Sequence, residues 1–181
     1  MPVSNLAHPD GDDFPAAAAK HLDDAVALFA ANRTDGAGYL AGYVRECSLK
    51  AVIVVDAIGR NVRLAPGTTL AALLCSASPA DQEAVDAGRT MGHKEAIKSR
   101  HDLGKLSIEA LRLAGIPGAA VVKYTSCLAA SSALQKDKWR ETIRYCAAGT
   151  ISLPQASLWL DDAKAVYLGT VGEMRRDGVV F

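Results

Sequence analysis

The chain has 181 residues, half of them hydrophobic, with 20 basic and 20 acidic side chains. A chain of this length and composition fits one domain that buries a full core, and is not a disordered polymer. The balanced charge excludes a globally basic nucleic-acid binder while leaving a local basic patch open. Cys47, Cys75, Cys127 and Cys146 are scattered without CxxC spacing. That argues for a reducing compartment and against both a disulfide framework and a zinc site. No uncharged apolar run approaches the roughly 20 residues of a membrane span. The first residues, MPVSNLAHPDGDDF, carry neither a basic nor an apolar leader region. The expectation is a soluble, cytoplasmic protein with no membrane partner.

Residues 1–14 are polar and rich in Pro, Gly and Asp, as a flexible arm would be. From Pro15 an Ala-rich helix places Leu22, Ala25, Val26 and Phe29 at helical spacing, and Asn32 to Gly38 ends it. A second helix is expected from Tyr39 to Ile58, stopping at Gly59. A basic, irregular stretch with Arg60, Arg63, Pro66 and Gly67 follows, then a short helix over Thr68–Cys75. Ser78-Pro79-Ala80-Asp81 is a helix start, with Ser as cap and Pro at the first position. The polar helix it opens should lie on the surface and end near Gly88 or Gly92. Asp102 caps the next helix, LGKLSIEALRLA, which Gly115 and Pro117 end. Ala119 to Leu134 reads as a strongly apolar helix. A polar connection then leads to Ser152-Leu-Pro-Gln155, a capping box opening a long amphipathic helix with Ala156, Trp159, Leu160, Ala163, Val166, Tyr167, Thr170, Val171 and Met174 on one face.

Nothing alternates with period two, so the expected fold class is all-α: an up-and-down helical bundle. Its core should come from the second, fourth and last long helices.

The second helix holds a puzzle. Glu46 and Lys50 interrupt the apolar text GYVRECSLKAVIVVD. At about 100° per residue they fall beside Tyr39 and Ile53 on the apolar side, whereas Arg45, Ser48 and Asp56 form the polar stripe. They also stand four apart with Glu first, the favourable order for a helical ion pair. Two readings follow: a boundary pair whose stems snorkel along the core edge, or a charged pair lining a cleft where Lys50 meets a phosphate. The second requires both residues to be partly buried, close together and facing His101 or the Arg144-Tyr145 region.

The text Arg33-Thr-Asp-Gly-Ala-Gly-Tyr39-Leu-Ala-Gly-Tyr43-Val-Arg-Glu46-Cys-Ser-Leu-Lys50 resembles the second helix of HEPN-domain proteins, which carries an A-G-Y-x-x-E-x-x-L-K pattern. His101-Asp102-Leu103 followed by Lys105-Leu106 resembles that family's H-x-L segment, and Trp139 followed by Arg144-Tyr145 its W…RY connection. The resemblance spans Ala16 to Phe181, with residues of about 60–100 standing as an insertion in a single domain over 15–181. It implies a helical bundle, often a homodimer, that binds or cuts RNA or binds nucleotides. Many such proteins are metal-independent ribonucleases in defence or toxin–antitoxin systems.

The family's catalytic pair is an Arg separated from a His by four to six residues. Here Arg89 precedes His93 with three between, and Arg100 adjoins His101. Spacing matters because attack by a 2′-hydroxyl needs an imidazole as acid or base and an Arg on the phosphate. Arg89, His93, Arg100 and His101 are thus weak catalytic candidates. Glu46, Lys50, His101, Arg144 and Tyr145 are the ligand-binding candidates. Lys136, Lys138, Trp139 and Arg140 extend the last two into a basic–aromatic cluster suited to stacking and phosphate contact.

Two other motifs carry less. Gly36-Ala-Gly38-Tyr-Leu-Ala41 matches a dinucleotide fingerprint but follows no strand. His101-Asp102 resembles the dyad of HD phosphohydrolases, yet Asp102 is explained as a cap. The expectation is therefore an RNA- or nucleotide-binding or protein-interaction module without the usual catalytic pair, and without metal or cofactor. The alternatives are a divergent metal-independent ribonuclease and a structural oligomerisation protein.

Overall fold

The structure is a computed structural model that describes residues 3–62, 68–76, 78–117, 119–129 and 132–180. These residues are all-helical, with no strand among them. The α-helices are α1 (Phe14–Ala30), α2 (Thr34–Asn61), α3 (Leu70–Ser76), α4 (Pro79–Lys98), α5 (Leu103–Ala114), α6 (Ala133–Lys136), α7 (Leu153–Tyr167) and α8 (Glu173–Arg176). Of the basic stretch expected after α2, Arg63, Pro66 and Gly67 lie outside the described residues.

Helix α2 is the axis. Its 28 residues span about 42 Å, and α1, α4, α5 and α7 pack around it. It starts earlier than the sequence suggests, because Asn32 takes a left-handed φ of 57° and turns the chain within three residues. It also continues through Gly59, held by its neighbours rather than by propensity. Being central, α2 is buried on all sides. The expected solvent stripe is therefore an interior one: Arg45, Ser48 and Asp56 are all buried. Arg45 meets the Asp162 carboxylate at 3.5 Å and Ser107 Oγ at 3.2 Å, and Asp56 accepts from Arg60 at 2.6 Å.

Helix α4 runs straight through Gly88 and Gly92, where the sequence suggests an end. A Cβ at Gly88 would lie 2.7 Å from Ile58 Cα, and one at Gly92 2.7 Å from Val54 Cα. The glycines are the contact surface with α2, so α4 is half core and half surface. The Ser78 cap forms as the motif requires, accepting from Asp81 N–H.

The expected apolar helix over Ala119–Leu134 is instead a 3-10 helix, Val122–Ala129, followed by the short α6; Ala130 and Ser131 lie outside the described residues. Thr125 Oγ1 donates to the Val121 and Val122 carbonyls, and Ser126 Oγ to that of Lys123. Such local hydroxyl bonds compete with the α-helical ladder. A second 3-10 turn, Glu141–Tyr145, leads towards α7. Helices α7 and α8 are continuous through a π turn at Leu168–Gly172, and their periodic face is buried as expected.

Residues 3–13 are fastened to the bundle. Asn5 N–H donates to the Val180 carbonyl, Arg89 Nε to the Asn5 carbonyl, and Leu6 is fully buried. Ser4 donates twice to the Asp13 carboxylate, which also caps α1.

Candidate functional site

A groove of about 1010 Å³ opens where the α4–α5 corner faces the segment from α6 to the second 3-10 turn. Its walls carry Lys98, Arg100, Lys105, Lys138 and Arg140, with Lys50 at the floor, against only Asp102 and Glu141. Asp102 is already engaged, accepting from Lys105 N–H at 3.0 Å as the cap of α5 and lying 3.2 Å from the Lys105 ammonium. That backbone N–H holds the Asp102 carboxyl below its ordinary range. With Lys50 neutralised by Glu46, a chain of zero net charge thus gathers an excess of three positive charges on one concave face. Such a face attracts anions.

Two of the wall cations sit on unusual backbone. Arg100 has φ 47° and Lys138 φ 55°, left-handed conformations that favour glycine.

Beneath the groove lies the charge pair that the angles single out. Lys50 Nζ donates to Glu46 Oε1 at 2.7 Å, and both side chains are buried, at 7% and 2% exposure. His101 Nδ1 reaches the same carboxylate at 2.9 and 3.1 Å, joining the α4–α5 corner to α2. A carboxylate accepts, so Nδ1 carries a hydrogen. The His101 side chain is 41% exposed. One buried anion therefore orients an ammonium and an imidazole at the base of a basic groove. The geometry set out for the pair (buried, adjacent, facing His101) is the geometry observed.

The Arg144-Tyr145 end connects by rings. Tyr43 packs edge-on against His101 at 5.6 Å, Trp139 at 5.5 Å and Tyr39 at 5.0 Å. Arg144 reaches the Tyr39 hydroxyl at 3.4 Å and lies 4.7 Å from the centre of the Tyr145 ring, which is exposed. Trp139 lies flat on Gly42, where a Cβ would come within 1.8 Å of the indole. Burial, and then the Tyr39 hydroxyl, push the Tyr43 phenol upward, so it stays protonated at neutral pH. Burial pushes the Cys47 thiol up to about 12, which removes it as a nucleophile.

Arg89 and His93 lie elsewhere. Arg89 is held by Asp86 at 2.6 Å and by the Asn5 carbonyl, while His93 is buried under the N-terminal residues. Lys98 is a wall residue that the sequence reading did not single out. The signal was present, since Lys98, Arg100, His101 and Lys105 stand within eight positions. No family model, curated protein or solved structure matches the chain.

Proposed function

We propose that the protein is a HEPN-like helical module that binds RNA or a nucleotide through its phosphates in the basic groove. One observation carries this reading: an excess of three cations on a single concave face of an otherwise neutral chain. Phosphate binding is the chemistry such a face serves best. The exposed Tyr145 ring with Arg144 over it offers a base a stacking surface beside the groove. The resemblance of the Tyr39–Lys50 and His101–Leu106 segments adds to the reading, as does the close packing of those segments around Glu46. A homodimer, a protein partner and a defence or toxin–antitoxin setting belong to the same proposal, on the resemblance alone.

The test is fluorescence anisotropy with labelled single-stranded RNA across a salt series. If three phosphates are neutralised, log affinity should fall against log salt with a slope of about −2. Arg100→Glu with Lys138→Glu should weaken binding at least about tenfold. Equal affinity of the double variant, or no salt dependence, would sink the reading.

The Glu46–His101 contact favours a second reading, a divergent metal-independent ribonuclease. An imidazole oriented through Nδ1 presents Nε2 as a base towards a bound 2′-hydroxyl, and Lys50 or Arg100 would neutralise the phosphate. Incubation with labelled RNA in chelator decides between the two. Cleavage abolished by His101→Ala supports the enzyme, and intact RNA leaves the binding module.

A further inference from the structure

An imidazole outside the groove holds the N-terminal residues in place, and its second ring nitrogen is buried where a proton has no acceptor. His93, on α4, lies 2.8 Å from the Leu6 carbonyl through Nε2. A carbonyl only accepts, so Nε2 carries the hydrogen and Nδ1 is bare. That Nδ1 is buried and has no hydrogen-bond partner. His8 packs against it with ring centres 5.0 Å apart, and His8 Nδ1 accepts from the Asp10 N–H at 3.2 Å. A proton on His93 Nδ1 would create a buried donor with nothing to receive it.

The surrounding charges favour neutrality too. His8 from the N-terminal segment and Arg89 from α4 oppose a positive His93, and of the nearby carboxylates Asp12 favours one. Asp10 faces His8 rather than His93, and Asp86 is occupied by Arg89. Phe14 of α1 stacks on the His93 ring at 4.7 Å, and from α2 the Lys50 ammonium lies 5.4 Å from the Phe14 centroid, with Glu46 paired to it.

We propose that residues 3–13 form an acid-released strap, undocked when His93 takes up a proton. Burial holds the His93 imidazole below its usual 6.5. With the segment undocked, His93 therefore binds a proton at a higher pH than with it docked. Docking is complete above 6.5 and weakens as pH falls below it, down to the docked value. Release uncovers Phe14, the residue against which Lys50 rests under the groove.

Hydrogen exchange of the full-length protein tests this without any groove ligand, so a failure to bind RNA leaves the test standing. With rates corrected for intrinsic exchange, protection of the amides of residues 3–13 should fall, by at most about tenfold, between about pH 7.5 and about pH 5.5. The centre of α2 should hold its protection. His93→Gln keeps a donor for the Leu6 carbonyl and cannot titrate there, so its profile should be flat. Wild-type protection that does not change, or a His93→Gln profile matching wild type, overturns the proposal. Asp12→Asn, at an exposed position, gives an independent arm if His93→Gln fails to fold. By removing a charge that favours protonated His93 in the docked state, it should deepen the acid loss of protection and move release to higher pH, and an unchanged profile counts against the strap.

Discussion

At the residue scale, Glu46 is the hinge of the candidate site, because Lys50 and His101 both depend on it. Removing one partner of a buried ion pair leaves an uncompensated charge, at a cost of about 3–5 kcal/mol. Glu46→Leu or Lys50→Met alone should therefore lower stability by that order in urea denaturation. The double variant should recover most of it, since two apolar side chains need no compensation. RNA affinity that stays low in the stable double variant would separate the pair's binding role from its packing role. The helical angles made the pair's sidedness readable before any fold was known. They could not reveal that the opposite stripe is buried too. Arg45 and Asp56 look like solvent residues by spacing, and only the helices wrapped around α2 give them partners.

At the element scale, the readable features were local and the missed ones were tertiary. Ser78, Asp102 and Ser152 each cap the helix that the text assigns to them. A cap is a bond within four residues, so sequence alone carries it. Gly88 and Gly92 were misleading because a glycine that breaks a helix and a glycine that admits a neighbouring backbone look identical in text. Their real role makes a sharp expectation. Alanine has a helix propensity about 1 kcal/mol better than glycine. Yet Gly88→Ala and Gly92→Ala should each destabilise by about 2 kcal/mol or more, because the new Cβ meets α2 backbone at 2.7 Å. Stabilisation in a thermal melt would show that α4 can slide off α2. The Ala119–Leu134 stretch failed for a different reason. Its hydrophobicity indicated burial, and the Thr125 and Ser126 hydroxyls chose the tighter helix.

At the scale of the whole molecule, every long helix touches α2. Of the helices packed on that shared axis, none can unfold while leaving its neighbours packed. Far-UV circular dichroism and tryptophan fluorescence should accordingly report one coincident urea transition, and separated midpoints would count against a single cooperative unit. No helix among the described residues is long and apolar enough to cross a membrane. The charge balance that excluded a basic protein by composition conceals a strongly polarised surface. Net charge is a sum, whereas the groove is a matter of placement by the α4–α5 corner and the turn before the second 3-10 helix.

If the groove binds RNA as proposed, the left-handed φ angles of Arg100 and Lys138 set folding and ligand capture in opposition. The left-handed form costs an ordinary residue about 1–2 kcal/mol, and glycine removes that strain while giving back roughly 0.5–1 kcal/mol in chain entropy. Arg100→Gly should therefore raise the melting temperature slightly and weaken RNA binding at the same time. A stabilising change that costs affinity marks a position tuned for its side chain rather than for its backbone.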